Sequence, residues 1–580
     1  MDQKNLGSHI WNVAELLRGN FRQSEYGTII LPFTVLRRLE CVLEPTRDAV
    51  VERSEQIASM DVDPTQVLPS VSGHKFYNTS TYSLGNLGVA DTLSNLVDYV
   101  ASFSPNARQI FEQFGFESIV QKLHDDKLLY QICNYFAGFD LHPDTVSNHE
   151  MGLAFEHLIR LFAESANDTA GEHYTPRDVV RLATTLVFSH DADALRGDGV
   201  IRSIYDPACG TGGFLSSGIE QIHEWNSDAS VVPFGQELND KTHAIAVADM
   251  MIKGYNTENI KLGNTLSDDQ LYTERFDYCL ANPPFGVDWK KVRDAVQAEH
   301  KRGDKGRFGP GLPRVSDGSL LFLMHLISKM KTDAPTRIGI VLNGSPLFTG
   351  NAGSGESEIR RWILENDWLE AIVALPTDMF YNTGIATYIW LLTNRKADDR
   401  KGKVQLINAT HLWRKMRKSL GSKRREMSED QIAEVARLFA DNREAHLTDD
   451  DGTEIPVSRI FNSTEFGYRT ITVERPLVGD DGEIERYTSG AKKGQPKPDT
   501  KLRDTEDVPL HEDVDEYLER EVKPHVPDAW IDHDKTKIGY EIPFNRHFYV
   551  FKPPRSLAEI DAELKEVTGK IVEMIREIGV

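Results

Sequence analysis

The 580-residue sequence predicts an α/β fold: a largely parallel sheet covered by helices on both faces, with a helical domain before it and a helical extension after it. Three observations carry this. Between about residues 146 and 400, short β-rich runs alternate with helical patterns, as in strands joined by crossover helices. Before that region, apolar residues recur at helical spacing and glycine is sparse. Beyond 400 the pattern loosens, and it closes on a stripe of apolar residues three or four positions apart.

Taken in order, residues 1–145 read as a helical domain. Ile10, Val13, Leu16 and Leu17 make one face, and Ile29, Leu31, Val35, Leu36 and Leu39 continue the pattern. Nothing there looks catalytic. In 146–400 the β-rich runs are 200–205, 231–235, 276–281, 337–342, 369–375 and 386–392, with helical stretches at 213–225, 240–253 and 320–331. Ligands of such sheets bind outside the carboxyl ends of the strands, so the loops after these runs are where chemistry is expected. Residues 401–555 form a mixed region with a basic stretch at 412–425, an acidic turn at 449–451 and a flexible loop or linker at 488–502. In 556–580, Leu557, Ile560, Leu564, Val567, Ile571 and Met574 mark an amphipathic helix suited to partner contact. Ser556 and Glu559 stand at capping-box spacing.

Composition narrows the function classes. A hydrophobic fraction of 40% excludes wholesale disorder. The excess of 89 acidic over 66 basic side chains, a net charge of -23, opposes unaided association with polyanions. Cys41, Cys133, Cys209 and Cys279 form no C-x-x-C pair, which argues against a zinc ribbon, an iron–sulfur site or a disulfide framework. The first residues lack a signal-peptide pattern, and no apolar run nears the roughly 18 residues of a membrane span. A soluble, cytoplasmic chain without membrane contact is expected. No metal-ligand spacing is present, and no metal is expected.

The strongest local signal is the run from Tyr205 to Phe214, YDPACGTGGF, where a β run meets a helix. Gly210, Gly212 and Gly213 let backbone approach a ligand closely, and the helix start offers unpaired N–H groups. Their crowding departs from the G-x-G-x-x-G dinucleotide pattern and disfavours a nicotinamide oxidoreductase. Glu237, after the next strand, is placed to accept both hydroxyls of a ribose. Asn264, after a third run, is placed to meet a nucleoside base. The second strong signal is Asn282-Pro283-Pro284-Phe285 after the run 276–281. Two prolines hold the backbone rigid with its carbonyls exposed. The Asn282 oxygen and Pro283 carbonyl can accept both protons of an exocyclic amine, and Phe285 offers a surface for a base. Two such acceptors localise the nitrogen lone pair and stabilise charge that develops on methyl transfer.

The pairing of DPACGTGGF with a downstream NPPF resembles the amino-methylating, S-adenosylmethionine-dependent DNA methyltransferases. More closely, the chain resembles the methylation (modification) subunit of type I restriction–modification systems. LGSHIWNVAELLRGNF, ILPFTVLRRLE, GEHYTPR (171–177), LPTDMFYNTGI (375–385), FGYRTITVERPL and the closing helix carry that resemblance over nearly the whole chain.

It implies a Rossmann-like methyltransferase sheet and S-adenosyl-L-methionine as cofactor. It implies that Glu172, His173, Tyr174, Thr175, Pro176 and Arg177 fold over the cofactor. Thr211, Gly212 and Gly213 match the loop that holds the methionine portion, with Asp206 nearby and Gly210 and Phe214 beside them. Glu237 matches the ribose acid, Asn282 to Phe285 the catalytic loop, and Phe380 an aromatic on the far side of the flipped base. Adenine N6 is the expected target, since the related cytosine enzymes usually begin the loop with Ser. The base must leave the duplex to be reached. No general base is expected, neither His173 nor His325. Expected partners are double-stranded DNA, a separate specificity subunit that serves two methylation subunits, and a restriction subunit in the larger complex.

Two basic stretches are candidate phosphate contacts: Lys290, Lys291, Arg293, Lys301, Arg302, Lys305, Arg307 and Arg314; and Arg414, Lys415, Arg417, Lys418, Lys423, Arg424 and Arg425. Alternative readings are a methyltransferase acting on protein glutamine or RNA, a stand-alone DNA adenine methyltransferase, and a cofactor-binding scaffold without turnover.

Overall fold

In the computed structural model, residues 3–165, 174–381, 383–420, 422–448, 452–551 and 556–577 are described. Its strands are β1 (Ile201–Asp206), β2 (Ser230–Glu237), β3 (Ile260–Leu262), β4 (Tyr278–Ala281), β5 (Arg337–Asn343), β6 (Leu369–Ala374), β7 (Thr387–Thr393) and β8 (Lys403–Asn408). There follow β9 (Arg414–Leu420), β10 (Lys423–Glu426), β11 (Ala445–Thr448), β12 (Glu454–Asn462), β13 (Gly467–Glu474), β14 (Asp504–Pro509), β15 (Trp530–Ile531) and β16 (Lys537–Tyr540).

Ten of these form one sheet in the order β11-β12-β8-β6-β7-β5-β4-β1-β2-β3. Strands β3, β2, β1, β4 and β5 run parallel, and β7 runs antiparallel between β5 and β6. Alternate side chains of each strand face opposite layers. Ile204, Leu280, Val341 and Ile389 join one core with helices Arg177–Phe188 and Gly213–Trp225. Tyr205, Cys279, Ile340 and Trp390 join the other with helices Ser319–Ser328 and Gly355–Glu365. Both faces are thus covered, which explains why β5, β6 and β7 read as near-continuous apolar runs.

The N-terminal helices share the first of these cores, which runs from Ile10 to Val457. Helix Gln23–Leu43 lies so close to helix Asn148–Ser165 that a Cβ on Gly27 would meet Phe162 at 2.0 Å. Arg38 locks the junction. Its buried guanidinium donates to the carbonyls of Leu141 and Val146 and to Asn148 Oδ1 (2.7 Å).

The sheet does not stop near residue 400. Strand β8 adds parallel to β6, and β12 and β11 follow antiparallel. These strands carry charged residues and little continuous apolar sequence, so their membership depends on pairing. The segment 488–502 is also not a plain linker. Leu477 N donates to Lys497 O, Lys497 N to Glu485 O and Gly494 N to Tyr487 O, which fold it back on itself. A separate four-stranded sheet is made by β13 to β16. The acidic turn 449–451 lies outside the described residues.

Helix Leu557–Glu577 begins with the expected capping box between Ser556 and Glu559. Its apolar stripe is exposed, with Leu564 at 59% and Met574 at 58%. All four cysteines are buried and free. Among the described residues, no helix is long and apolar enough to cross a membrane.

Replacing Arg38 by Ala strands buried carbonyls at the helical junction, and is expected to lower the unfolding free energy by about 2–4 kcal/mol. Denaturant titration checks this; a loss within the error of the wild-type measurement would mean the junction does not depend on Arg38.

Candidate active site

From β1 the chain passes to β2 and β3 on one side, and from β4 it passes to β5 on the other. The carboxyl ends of β1 and β4 therefore diverge at a topological switch point, where open α/β sheets hold their ligands. The register pairs Tyr205 with Cys279, so the loops beginning at Asp206 and Asn282 leave neighbouring strands side by side. Between them lies a cavity of about 570 Å³, of a size ordinary for small-molecule sites. Thr175, Asp206, Gly210, Thr211, Gly213, Phe214, Glu237, Asn264, Asn282 and Pro284 all line it.

The glycine loop is shaped by positive φ at Gly210 (+55°) and Gly212 (+83°), a conformation that side chains disfavour. Gly212 N donates to Cys209 O (2.8 Å), and Cys209 N donates to Gln236 O (3.1 Å), which ties the loop to β2. Helix Gly213–Trp225 starts at once, with its unpaired N–H groups at the cavity wall. Glu237 is buried, and its carboxylate accepts from Gly210 N (2.9 Å) and Asn239 N (2.8 Å). A carboxylate has further lone pairs, so these bonds orient it without exhausting it. Burial pushes the Asp206 carboxyl up to about 8; the Ala208 N–H opposes this and the Glu237 charge adds to it. On the next loop, Asn264 Oδ1 accepts from Leu266 N (3.0 Å), and the Thr265 hydroxyl donates to Pro207 O (2.5 Å). The loops after β1 and β3 are thereby joined.

Asn282 Nδ2 donates to Thr175 Oγ1 (3.0 Å). This turns Asn282 Oδ1 the other way, and that oxygen is buried without a hydrogen-bond partner among the described residues. A dry, unpaired acceptor costs about 1–3 kcal/mol, which is unusual in a folded core. Pro283 is buried, Pro284 exposed and Phe285 half-buried.

Phe380 is 3% exposed and meets Phe285 edge to face, ring centroids 5.7 Å apart at 84°. The two rings, expected to flank a base, pack against each other. Tyr174 packs at 5.3 Å from Tyr381. Tyr174, Thr175 and Arg177 line a small neighbouring pocket with Thr211 and Gly213, and Pro176 caps helix Arg177–Phe188. Glu172 and His173 lie outside the described residues.

Sequence reasoning passed over Leu238, Val287, Trp289, Val292 and Phe322, which make the apolar wall of the cavity. Trp289, seven residues after Asn282, was the available signal; the basic residues around it drew attention away. Within that basic stretch, Arg307 is not a phosphate contact but a strut. Its guanidinium binds both Glu299 oxygens (2.8 and 2.7 Å), Thr265 O (2.8 Å) and Leu266 O (3.2 Å), beneath the Asn264 loop. It also meets His325 Nδ1 (2.9 Å), whose Nε2 bonds the Tyr205 hydroxyl (2.8 Å). Burial holds His325 well below its usual range, helped by Arg307 and Lys329, so it is a neutral structural group. Among the described residues, no cluster that could hold a metal ion is found.

A family model described as N-6 DNA Methylase matches residues 146–454, more than half of the chain. The chain belongs to the N-6 DNA methylase family. Residues 6–136 match the model described as HsdM N-terminal domain. The methylase subunit of the type I restriction enzyme MjaIX of Methanocaldococcus jannaschii is 24% identical over 454 residues, covering 74% of this chain and 76% of that one. The MjaVII methylase subunit of the same organism is 26% identical over 55% of this chain, and the match spans about half (52%) of its own length. In fold, the methyltransferase subunit of a type I restriction–modification system from Streptococcus thermophilus superposes with a TM-score of 0.62. It covers 80% of this chain and 97% of that one, at 22% identity.

If Arg307 is the strut beneath this site, Arg307→Ala leaves the half-buried Glu299 and the carbonyls of Thr265 and Leu266 without their partner and is expected to cost about 1–3 kcal/mol of stability. Thermal and denaturant unfolding would read this directly; a change below about 1 kcal/mol is what an exposed phosphate contact would give instead.

Proposed function

We propose that this chain transfers a methyl group from S-adenosyl-L-methionine to the N6 amine of a flipped-out adenine in double-stranded DNA. It acts as the modification subunit of a type I restriction–modification complex in the cytoplasm. The observation that carries this reading is Asn282 Oδ1: an oriented, buried acceptor without a partner among the described residues, on a cavity shared with a glycine loop and a buried acid.

The residues present fit the cofactor. Gly210 and Gly212 give the loop its left-handed turns, the start of helix Gly213–Trp225 offers N–H groups, and Glu237 is oriented for a ribose. Asn264 and the apolar wall with Leu238 suit the adenine end, and Thr175, Thr211 and Asp206 suit the charged methionine end. When bound, the cofactor supplies an electrophilic methyl group. The chain's own part is positioning. Asn282 Oδ1 and the Pro283 carbonyl accept the two amine protons and localise the nitrogen lone pair. Transfer from the bound cofactor would break its S–CH3 bond, leaving a neutral thioether, as the N–CH3 bond forms; the amine would then release one proton to solvent, so no basic side chain is needed.

The target base reaches Asn282 only after leaving the helix, which costs a few kcal/mol. Phe285 is the stacking surface, and the ring of Phe380 must swing or slide from it to admit a base between them. Sequence is read by a separate specificity subunit that engages two methylation subunits, and a restriction subunit joins the larger complex. The exposed stripe of helix Leu557–Glu577 and the net charge of -23 support dependence on such a partner.

Transfer of labelled methyl groups to duplex DNA by the chain co-expressed with its specificity subunit tests the proposal; no incorporation in the complex overturns it. Asn282→Ala should reduce kcat by at least about 10²-fold and leave cofactor affinity within about twofold, by calorimetry. A second expectation concerns pH. Asp206 is protonated below about 8 in the free chain, and a cationic ligand favours its ionised form. Cofactor affinity should therefore rise from pH 6 to 8, by up to about tenfold per unit, and level off above. Asp206→Asn should flatten that dependence, and a wild-type affinity independent of pH would contradict it.

A further inference from the structure

The second basic stretch folds into a two-stranded antiparallel ribbon, β9 paired with β10. Lys415, Arg417 and Arg424 are exposed on it, and no acidic residue stands between positions 414 and 425 of a chain whose net charge is -23. Lys415 lies directly across from Arg425. Like charges opposite one another destabilise a strand pair, and the acid at the ribbon's end, Glu426, is taken by Arg414 (2.9 Å). Arg425 turns from its neighbour onto Trp413, 4.0 Å from the ring centroid, and donates to the Thr377 hydroxyl (3.0 Å).

The ribbon is held in register with the active site. Arg424 N donates to Asp378 O (2.9 Å), and Ser422 N donates to Tyr381 O (2.8 Å), so it grips both sides of Phe380. Asp378 itself sits at φ +60°, a backbone conformation rare outside glycine. Buried Lys423 donates to both Asp178 oxygens (3.0 and 2.9 Å) and to Met379 O (2.9 Å). Asp178 lies in the first turn of the helix that follows Thr175, the partner of Asn282. Beside the ribbon, at the carboxyl ends of β6 and β8, opens a cleft of about 360 Å³ lined by Thr377, Asn408, Tyr388, Arg425 and the exposed Tyr549.

We propose that the β9–β10 ribbon is a phosphate clamp for the DNA strand next to the target base. Through Arg424, Ser422 and Lys423, its seating on DNA also sets the segment that carries Phe380. The inference rests on the DNA methylation reading and deepens it, naming the surface that grips the duplex backbone. The first basic stretch cannot do this with Arg307, which is consumed as a strut.

The test compares the wild-type chain with the triple variant Lys415→Gln, Arg417→Gln, Arg424→Gln, alone and co-expressed with the specificity subunit. Duplex binding is followed by fluorescence anisotropy over a salt series, with methyl incorporation in parallel. The variant is expected to bind duplex at least tenfold more weakly at about 0.1 M salt. Its slope of log affinity against log salt should be shallower by about 0.9 per lost contact, with cofactor affinity unchanged. Equal affinity and slope in the variant overturn the clamp, as does a wild-type chain that binds no duplex in either form. Methylation by the wild type beside an unaffected variant overturns the clamp alone. A wild type that grips DNA through the ribbon but transfers no methyl group overturns the methylation reading alone.

Discussion

Everything at the site follows from β1 having parallel neighbours on both sides. A strand can be followed on only one side, so the chain that goes to β2 must return by way of β3 to begin β4. The carboxyl ends of β1 and β4 are then adjacent but their loops part, and the space between them cannot be filled by either connection. The glycine loop and the Asn-Pro-Pro-Phe loop meet there although 69 to 76 positions separate Asp206 and Gly213 from Asn282.

Around that crevice, polar groups of neighbouring loops are joined by shared bonds. Glu237 secures Gly210 and Asn239, Thr265 secures Pro207, and Arg307 secures Thr265 and Leu266 while neutralising Glu299. The loops after β1, β2 and β3 are therefore bonded to one another. Two groups stand apart from these bonds. Among the described residues Asp206 is buried with no ion pair, and burial pushes its carboxyl up to about 8; Asn282 keeps an acceptor without a partner among the described residues. Unsettled groups of this kind mark places where a ligand supplies what the fold withholds.

The aromatic segment is the counterpart on the other side of the crevice. Phe380 closes on Phe285, and the basic ribbon, Lys423 and Asp178 connect that segment to Thr175. The Phe380 segment and the Thr175 segment are thus joined by a short chain of bonds rather than by a shared loop. Arg38 likewise holds helix Gln23–Leu43 to the 141–146 connection and to Asn148 at the start of helix Asn148–Ser165.

Much of this was legible in the residues alone. The runs that became β4, β5, β6 and β7 are buried on both faces, so apolar continuity announced them. Helix Gly213–Trp225 and the capping box of the last helix are local patterns, and local patterns need no partner to be read. The glycine and proline motifs likewise declared their own chemistry. What the tertiary structure alone decided is whatever depends on pairing across long separations. Strands β8, β11 and β12 are sheet members only because β6 offers an edge, and 488–502 is tied down only because 477–487 lies beside it. Arg307 and Lys423 look like surface charge in sequence, yet Glu299 and Asp178 bury them. Charge is a property of a residue, whereas the cost of burying it is set by neighbours that only folding brings.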